Sequence, residues 1–277
     1  SMKRLRDRVA VVTGAASGIG RATALRLAEK GAHLALVDVN DRGLAEVRAE
    51  IERMGRRVSV HACDVSDRSR MEDLVRAVEG AHGSVQIVVN NAGVGVASSF
   101  EELPLEDFHW LMGVNFWGVV HGCKLFLPLL RRQDEAHIVN ISSVFGIMGM
   151  PLNSAYCASK FAVAGLSESL RAELSDTRIG VTSVHPGGVA TNIVVASRCS
   201  GSPDAEAIRA QAARKFERLM PPAKVAHAIV RGIEKNSPRV LITREAHLID
   251  AAKRAAPSLA SELVARSWRG LLPRLLR

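Results

Sequence analysis

Tyrosine is almost missing from this chain: its 277 residues contain one, Tyr156, and aromatic residues together make up 4%. A chain that does not use tyrosine as packing material has little structural call on its only one, so Tyr156 becomes a candidate functional residue. Cysteine is also scarce. Cys63, Cys123, Cys157 and Cys199 include no CxxC pair, which argues against a metal site and points to a reduced, cytoplasmic setting. Internal repeats and low-complexity linkers are lacking, so the chain parses as one domain with a C-terminal extension. Strand patterning begins at Val9, and no secretory leader is expected. The one long apolar run, Met112–Leu130, holds Asn115, His121, Lys124 and three glycines, and reads as a buried helix rather than a membrane span. Asn140-Ile141-Ser142 matches a glycosylation acceptor but sits in an expected core strand.

The body of the chain lacks a charge excess as well. The net charge is +9, yet residues 1–8 supply +3 and residues 244–277 supply +4, which leaves +2 for residues 9–243. Without a basic stripe in the body, nucleic acid is not an expected partner.

What is present is a hydrophobic content of 47% and an alternation of short apolar runs with helix-length segments. Strands are expected at 9–13, 33–38, 57–62, 85–90, 136–142, 179–185 and 239–243, and helices at 18–30, 40–54, 67–81, 105–133, 154–176, 203–218 and 221–235. This order predicts an α/β fold: a Rossmann-like, doubly wound, parallel seven-stranded sheet in one domain over residues 1–243. Continuous apolar strands are those of a sheet covered on both faces.

The first strand runs into Thr13-Gly14-Ala15-Ala16-Ser17-Gly18-Ile19-Gly20. Gly14 permits a tight turn, Gly18 lets a pyrophosphate approach the backbone, and Gly20 lets the helix sit close to the strand. The amides of Ser17, Gly18, Ile19 and Gly20 then open the helix towards the phosphates. The plainer alternative is an ordinary glycine-rich turn. Asp38 ends the second strand, where a carboxylate bonds ribose hydroxyls and repels a 2′-phosphate, so NAD is favoured over NADP. Arg21 and Arg42 are the counterweights; both are also explained as solvated helix-face arginines. Asp64-Val65 and Asn90-Asn91-Ala92-Gly93 follow the third and fourth strands at their carboxyl ends, where ligands bind open α/β sheets. Asp64 also suits a turn or cap, and Asn90 a core asparagine bonded to backbone.

Tyr156 lies thirteen residues past Ser143 and four before Lys160. Positions i and i+4 share a helix face, so Lys160 is expected to place a positive charge beside the phenol and lower its pKa. A phenol so placed can exchange a proton with a carbonyl or alcohol oxygen, with Ser143 hydrogen-bonding the same oxygen.

TGAASGIG at 13–20, Asp38, Asp64, NNAG at 90–93, Asn115 within VNFWG, Ser143, YCASK at 156–160, and Pro186-Gly187 followed by Thr191 occur in one order over about residues 7–243. In this set the chain closely resembles the classical short-chain dehydrogenases/reductases. The resemblance implies that Tyr156 is the acid/base. Lys160 would hold the nicotinamide ribose and tune Tyr156, Ser143 would orient substrate, and Asn115 would anchor a relay water or kink its helix. Pro186, Gly187, Val189 and Thr191 would face the nicotinamide end. No metal is implied, and His185 is assigned to strand-end packing. The long helices 105–133 and 154–176 resemble those that pair subunits in the family, so a homodimer or homotetramer is expected.

Substrate choice is expected in 94–104, in the apolar segment 144–153 with Met148 and Met150, and in a lid at about 192–220. These lean towards a fairly apolar secondary alcohol or ketone. Residues 244–277 form a basic amphipathic extension, with Leu259, Leu263, Val264, Trp268, Leu271, Leu272, Leu275 and Leu276 at helical spacing. Packing on the body or on a second subunit is favoured over weak binding to an anionic membrane, and Pro273 is expected to interrupt a long interfacial helix. Two other functions use the same fold: a catalytically silent NAD-binding sensor or scaffold, and an epimerase that retains its cofactor. The four residues Asn115, Ser143, Tyr156 and Lys160 argue against the first, because binding alone needs no acid/base tyrosine.

Overall fold

The computed structural model describes Met2, residues 4–190, Arg198–Cys199 and residues 220–275. The predicted lid, its helix at 203–218 and Thr191 therefore lie outside the described residues, apart from Arg198, Cys199 and Met220.

The strands in chain order are β1 (Val9–Thr13), β2 (His33–Asp38), β3 (Val58–Ala62), β4 (Ile87–Asn90), β5 (Val96–Ala97), β6 (Ala136–Ile141), β7 (Ile179–His185), β8 (Arg198–Cys199) and β9 (Arg239–Leu241). Seven of them form one parallel sheet in the order β3-β2-β1-β4-β6-β7-β9, while β5 and β8 pair separately. The seven match the predicted strands, trimmed by a residue or two at 57, 85–86, 142 and 242–243. The two-residue pair β5 and β8 is too short to leave a periodic signal.

Helices α1 (Gly18–Glu29), α2 (Asp41–Arg53), α3 (Arg68–His82), α4 (Leu105–Met112), α5 (Gly118–Arg131), α6 (Ser154–Glu173) and α7 (Pro222–Lys235) cover the two faces. Alternating side chains of each strand enter opposite cores, as strand geometry requires. Ala10 and Val12 join Leu27 of α1, Leu44 of α2 and Ile229 of α7. Val9 and Val11 join Val78 of α3, Phe126 of α5 and Val163 of α6. Helices α2 and α3 start on side-chain caps: Asn40 accepts from the Gly43 amide at 3.1 Å, and Asp67 from the Arg70 amide at 3.2 Å.

The segment expected as one helix over 105–133 is interrupted. Gly113–Trp117 form a π turn between α4 and α5, with Asn115 fully buried inside it. The apolar run is nonetheless a helix packed on the sheet, with Val119, Cys123, Phe126 and Leu130 in the core.

Two helices follow the last strand, α8 (Arg244–Ala255) and α9 (Pro257–Leu275). Both lie in the C-terminal extension, which the sequence predicts to be helical; its helical spacing is legible over 258–276, and the apolar content of α8 is low. Thr243 caps it by accepting the Ala246 amide at 3.2 Å, and Asp250 pairs with Arg239 of β9 at 2.8 Å. Helix α9 packs on α8, burying Ala260 and leaving Leu259 and Leu263 exposed. It continues past Pro273 to Leu275, so the proline does not interrupt it as the sequence suggested.

Asn90 does not bond backbone as the sequence suggested. Its Nδ2 donates to Asn140 Oδ1 of β6 at 2.8 Å, and Asn140 Nδ2 donates to Ser167 Oγ of α6 at 3.0 Å. This bridge needs α5 to come close: a Cβ on Gly122 would lie 1.9 Å from Asn90 Oδ1. Gly122→Ala should therefore cost about 1–3 kcal/mol by overpacking, measured by urea unfolding; unchanged stability would show that Asn90 can yield.

Candidate active site

The strand order reverses between β1 and β4, and this opens a crevice at the carboxyl end of the sheet. Thr13, the last residue of β1, ties the two loops at the crevice together. Its hydroxyl accepts the amides of Asn91 at 2.9 Å and Ala92 at 3.0 Å. Asn91 Nδ2 returns to the Thr13 carbonyl at 2.9 Å and the Gly14 carbonyl at 3.2 Å. Gly14 has φ +65° and Gly18 φ +55°, a left-handed region that favours glycine. A Cβ at Gly14 would meet Asn91 Nδ2 at 2.7 Å, and one at Gly20 the Gly14 carbonyl oxygen at 2.0 Å. Ser17 precedes α1 without a side-chain cap, and the helical ladder starts only with the Arg21 amide on the Ser17 carbonyl at 3.0 Å. The amides of Gly18, Ile19 and Gly20 stand before that ladder, which is the arrangement a phosphate requires.

Asp38 stands beside this turn. Its Oδ2 accepts the Ala16 amide and its Oδ1 the Asn40 amide, both at 3.0 Å. Arg21 pairs with Glu50 at 2.6 Å, and Arg42 is 92% exposed. Asp64 behaves as a turn residue: Oδ1 accepts from the Ser66 amide at 2.9 Å and its hydroxyl at 2.7 Å. Val65 is buried, and its carbonyl accepts from His121 Nδ1 at 2.9 Å. The glycine turn, the exposed α1 amides and the Asp38 carboxylate fit an adenine dinucleotide.

The second half of the crevice is built on the ends of β6 and β7 and on α6. Ser143 caps a 3-10 turn at Val144–Gly146, its Oγ accepting the Phe145 amide at 3.1 Å. Tyr156 is partly buried and meets Phe145 edge-on, with ring centroids 6.0 Å apart. Lys160 is buried; its Nζ donates to the Ile141 carbonyl at 2.9 Å and lies 5.5 Å from the Tyr156 ring centroid. Gly93 adjoins both halves: a Cβ there would lie 3.4 Å from Asn115 Oδ1 and 3.6 Å from Lys160 Nζ. The i, i+4 spacing thus delivers Lys160 to the tyrosine.

The electrostatics differ from the sequence expectation in one respect. Burial pushes the Tyr156 phenol up to about 12, with a Ser143 hydrogen bond opposing the rise. The Lys160 ammonium is directed at the Ile141 carbonyl and stands over the ring, 5.5 Å from its centroid, and the effect of burial on the phenol prevails. Burial also brings Lys160 itself down to about 8.

Asn115 holds a loop. Its Oδ1 accepts the Val94 amide at 2.8 Å, and its Nδ2 donates to the Val94 carbonyl at 3.0 Å and Ser159 Oγ at 3.2 Å. With the side chain so engaged, a water relay at this residue would have to use backbone carbonyls displaced by the π turn. Pro186 accepts the Val144 amide at 2.9 Å, Gly187 is backed by Thr243, and Val189 bridges to Met220. Sequence reasoning missed the Thr13 hydroxyl as the tie between the two loops; its only signal is a hydroxyl residue at the strand end. It also gave His185 a packing role, whereas the imidazole is hydrogen-bonded at both nitrogens. Among the described residues, no cluster of three or more His, Cys, Asp or Glu side chains could hold a metal ion. A separate cavity of about 640 Å³ lies at the amino ends of β6 and β7, lined by residues including His137 and Arg171, away from this chemistry.

Burying Lys160 has a pH signature. Its folded pKa, about 8, is below its ordinary 10.5. Stability from this group is complete above the ordinary value and is lost as pH falls through about 8. The unfolding free energy of the wild type relative to Lys160→Met should therefore rise by about 1–3 kcal/mol between about pH 8 and 10. Urea titrations read by tryptophan fluorescence would measure it, and a flat difference would contradict the burial.

The comparisons with known proteins agree with this geometry. A family model described as short chain dehydrogenase matches residues 8–200. The protein named as the oxidoreductase SadH of Mycobacterium tuberculosis is 39% identical over 269 residues, 95% of this chain and 96% of that one. The 3-oxoacyl-[acyl-carrier-protein] reductase FabG of Thermotoga maritima is 35% identical over 188 residues, 68% of this chain and 76% of that one. A short-chain dehydrogenase/reductase from Burkholderia phymatum, solved in complex with NAD, superposes with a TM-score of 0.86 at 30% identity, covering 92% of this chain and 96% of that one. By the match of its family model, its relatives and its fold, this chain belongs to the classical short-chain dehydrogenase/reductase family of oxidoreductases.

Proposed function

We propose that this protein interconverts a secondary alcohol and a ketone with NAD, using Tyr156 as the group that exchanges a proton with the substrate oxygen. The observation that carries this reading is the meeting of Ser143, Tyr156 and Lys160 across the crevice from the Gly14–Gly20 turn and Asp38. NAD-bound neighbours, among them the Burkholderia phymatum protein and a short chain dehydrogenase from Mycobacterium paratuberculosis, support the cofactor class. When bound, the nicotinamide supplies or accepts the hydride at the carbon that bears this oxygen. Gly14, Ser17, Gly18, Ile19, Gly20 and Asp38 would hold the adenosine and diphosphate, with Asp64, Val65, Asn91, Ala92 and Gly93 forming the far wall of the crevice. Lys160, Pro186, Gly187, Val189 and Thr191 would face the nicotinamide end.

The chain's own chemistry is proton placement. Burial keeps the Tyr156 phenol protonated at neutral pH, which is the form needed to donate to a ketone oxygen as hydride arrives. Ser143 points its hydroxyl at the same position and stabilises charge that develops there. The surroundings are apolar: Phe145 stands edge-on to Tyr156, and Val94, Val96 and Phe108 share its cluster. Met148 is buried as packing, while Met150 is 36% exposed and free to adapt to a ligand. These features support a fairly apolar substrate.

Tyr156→Phe should lower kcat by about 10²–10⁴-fold while NAD affinity stays within about twofold. Turnover of 2-octanol, cyclohexanol and sorbitol, followed at the reduced-cofactor absorbance, together with calorimetric NAD titration, tests both parts. Retained turnover in the variant refutes the role of Tyr156, and activity confined to sorbitol refutes the apolar substrate.

Asp38 would set the cofactor choice, since its carboxylate repels a 2′-phosphate and Arg21 is held by Glu50. Asp38→Asn should lower the ratio of kcat/KM for NAD over NADP by at least about tenfold, the effect of ~1.4 kcal/mol. An unchanged ratio in parallel assays would mean that another group makes the choice.

A further inference from the structure

His185 closes β7 immediately before Pro186, and it is 1% exposed. Its Nδ1 lies 3.1 Å from the Ser143 carbonyl oxygen and its Nε2 lies 3.0 Å from Ser183 Oγ. A carbonyl oxygen only accepts, so Nδ1 must carry the hydrogen, and Nε2 of the neutral ring accepts from the Ser183 hydroxyl. This tautomer is the minor one for an imidazole free in water, and the fold therefore selects it.

The bond adds a side-chain donor to the backbone bonds around Ser143. On either side, the Ser142 amide donates to the Val184 carbonyl at 2.8 Å and the Val144 amide to the Pro186 carbonyl at 2.9 Å. These two bonds extend the β6–β7 ladder, and the second also holds the N–H edge of the peptide plane that carries the Ser143 carbonyl. Its carbonyl takes the Gly146 amide at 2.9 Å from the 3-10 turn and His185 from the strand. With its N–H edge held by Pro186 and its oxygen by two donors of different origin, the peptide plane is fixed at both edges, and with it the direction in which the Ser143 Cβ and hydroxyl leave the backbone.

We propose that His185 is a positioning residue for Ser143: its Nδ1–H holds the Ser143 carbonyl so that the hydroxyl stays aimed at the Tyr156 phenol. The role rests on the hydride-transfer reading above and adds to it a residue that touches neither substrate nor cofactor. Nδ1 donates in the neutral ring and in the imidazolium alike, whereas Nε2 accepts from Ser183 only in the neutral ring. Burial holds the imidazole down at about 4, against the rise that its bond to the Ser143 carbonyl gives; the nearby Arg239 lowers it further and Asp250 opposes. Those two charges belong to the β9–α8 ion pair at 2.8 Å, so the C-terminal helix faces the ring that steadies Ser143.

Two variants of similar size separate the bonds. His185→Asn keeps an amide donor at the Nδ1 position, whereas His185→Gln carries its amide out towards Ser183. With 2-octanol and NAD, His185→Gln should lower kcat by about tenfold, a loss expected of one buried hydrogen bond, with NAD affinity unchanged. His185→Asn should stay within about threefold of wild type. In a Ser143→Ala background, His185→Gln should have no further effect, since the two residues act as one unit. Long-range proton–nitrogen NMR, with the His185 signals assigned by their loss in His185→Gln, should show hydrogen on Nδ1 and a neutral ring down to about pH 5. Hydrogen on Nε2, wild-type kcat in His185→Gln, equal loss in both variants, or a full His185→Gln effect without Ser143 would each overturn the proposal. Failure of the underlying reading looks different. Wild type would then be inactive on 2-octanol, or Tyr156→Phe would stay active, while the tautomer measurement would still decide whether His185 donates to Ser143.

Discussion

The crevice depends on the hydroxyl of Thr13. It receives two amides from the loop after β4, and the side chain of that loop's Asn91 bonds back to the carbonyls of Thr13 and Gly14. Four short hydrogen bonds therefore lock together the two loops between which the sheet changes direction. Everything that would meet a dinucleotide is referenced to this knot: the turn at Gly14, the start of α1 and the run from Asn91 to Gly93. Gly14 and Gly20 then owe their identity to closeness, because a Cβ at either would strike Asn91 or the neighbouring backbone.

A second layer of buried polar bonds sets the proton-handling half. Asn115 clamps Val94, Ser142 bonds the Lys160 carbonyl at 2.8 Å, and Lys160 reaches the Ile141 carbonyl. In a low-dielectric interior such bonds fix side chains more tightly than they would in water, since breaking one leaves an unpaired polar group. The same burial raises the phenol and lowers the lysine. Ionisation states in the crevice are thus set first by desolvation and only then by which residue neighbours which.

The sequence disclosed the sheet because parallel strands covered on both faces are continuous apolar runs, as Val9–Thr13 and His33–Asp38 are. It disclosed the candidate site because glycines with positive φ and an i, i+4 pair are local signals. It did not disclose the π turn, since Gly113–Trp117 has the composition of the helices on either side and differs only in hydrogen-bond register. The direction of the Tyr156 shift was hidden for a similar reason. Spacing shows that Lys160 is near, but not that Ile141 takes its proton donor. The extension was legible as helical, but α8 was not legible as a separate helix, because only Ala246 among its residues is buried, and a ridge held by a cap and an ion pair leaves no apolar stripe.

Thr243 sits at the seam between the last strand and this C-terminal ridge. Its hydroxyl starts α8 by accepting the Ala246 amide, and it also stands where a side chain at Gly187 would have to go, 2.2 Å from that Cβ position. One oxygen is therefore shared between the terminal helices and the loop behind the nicotinamide end of the crevice. The threonine thus couples the start of the C-terminal tail to a loop 56 residues earlier in the chain, so a side chain added at Gly187 would press on the cap of α8.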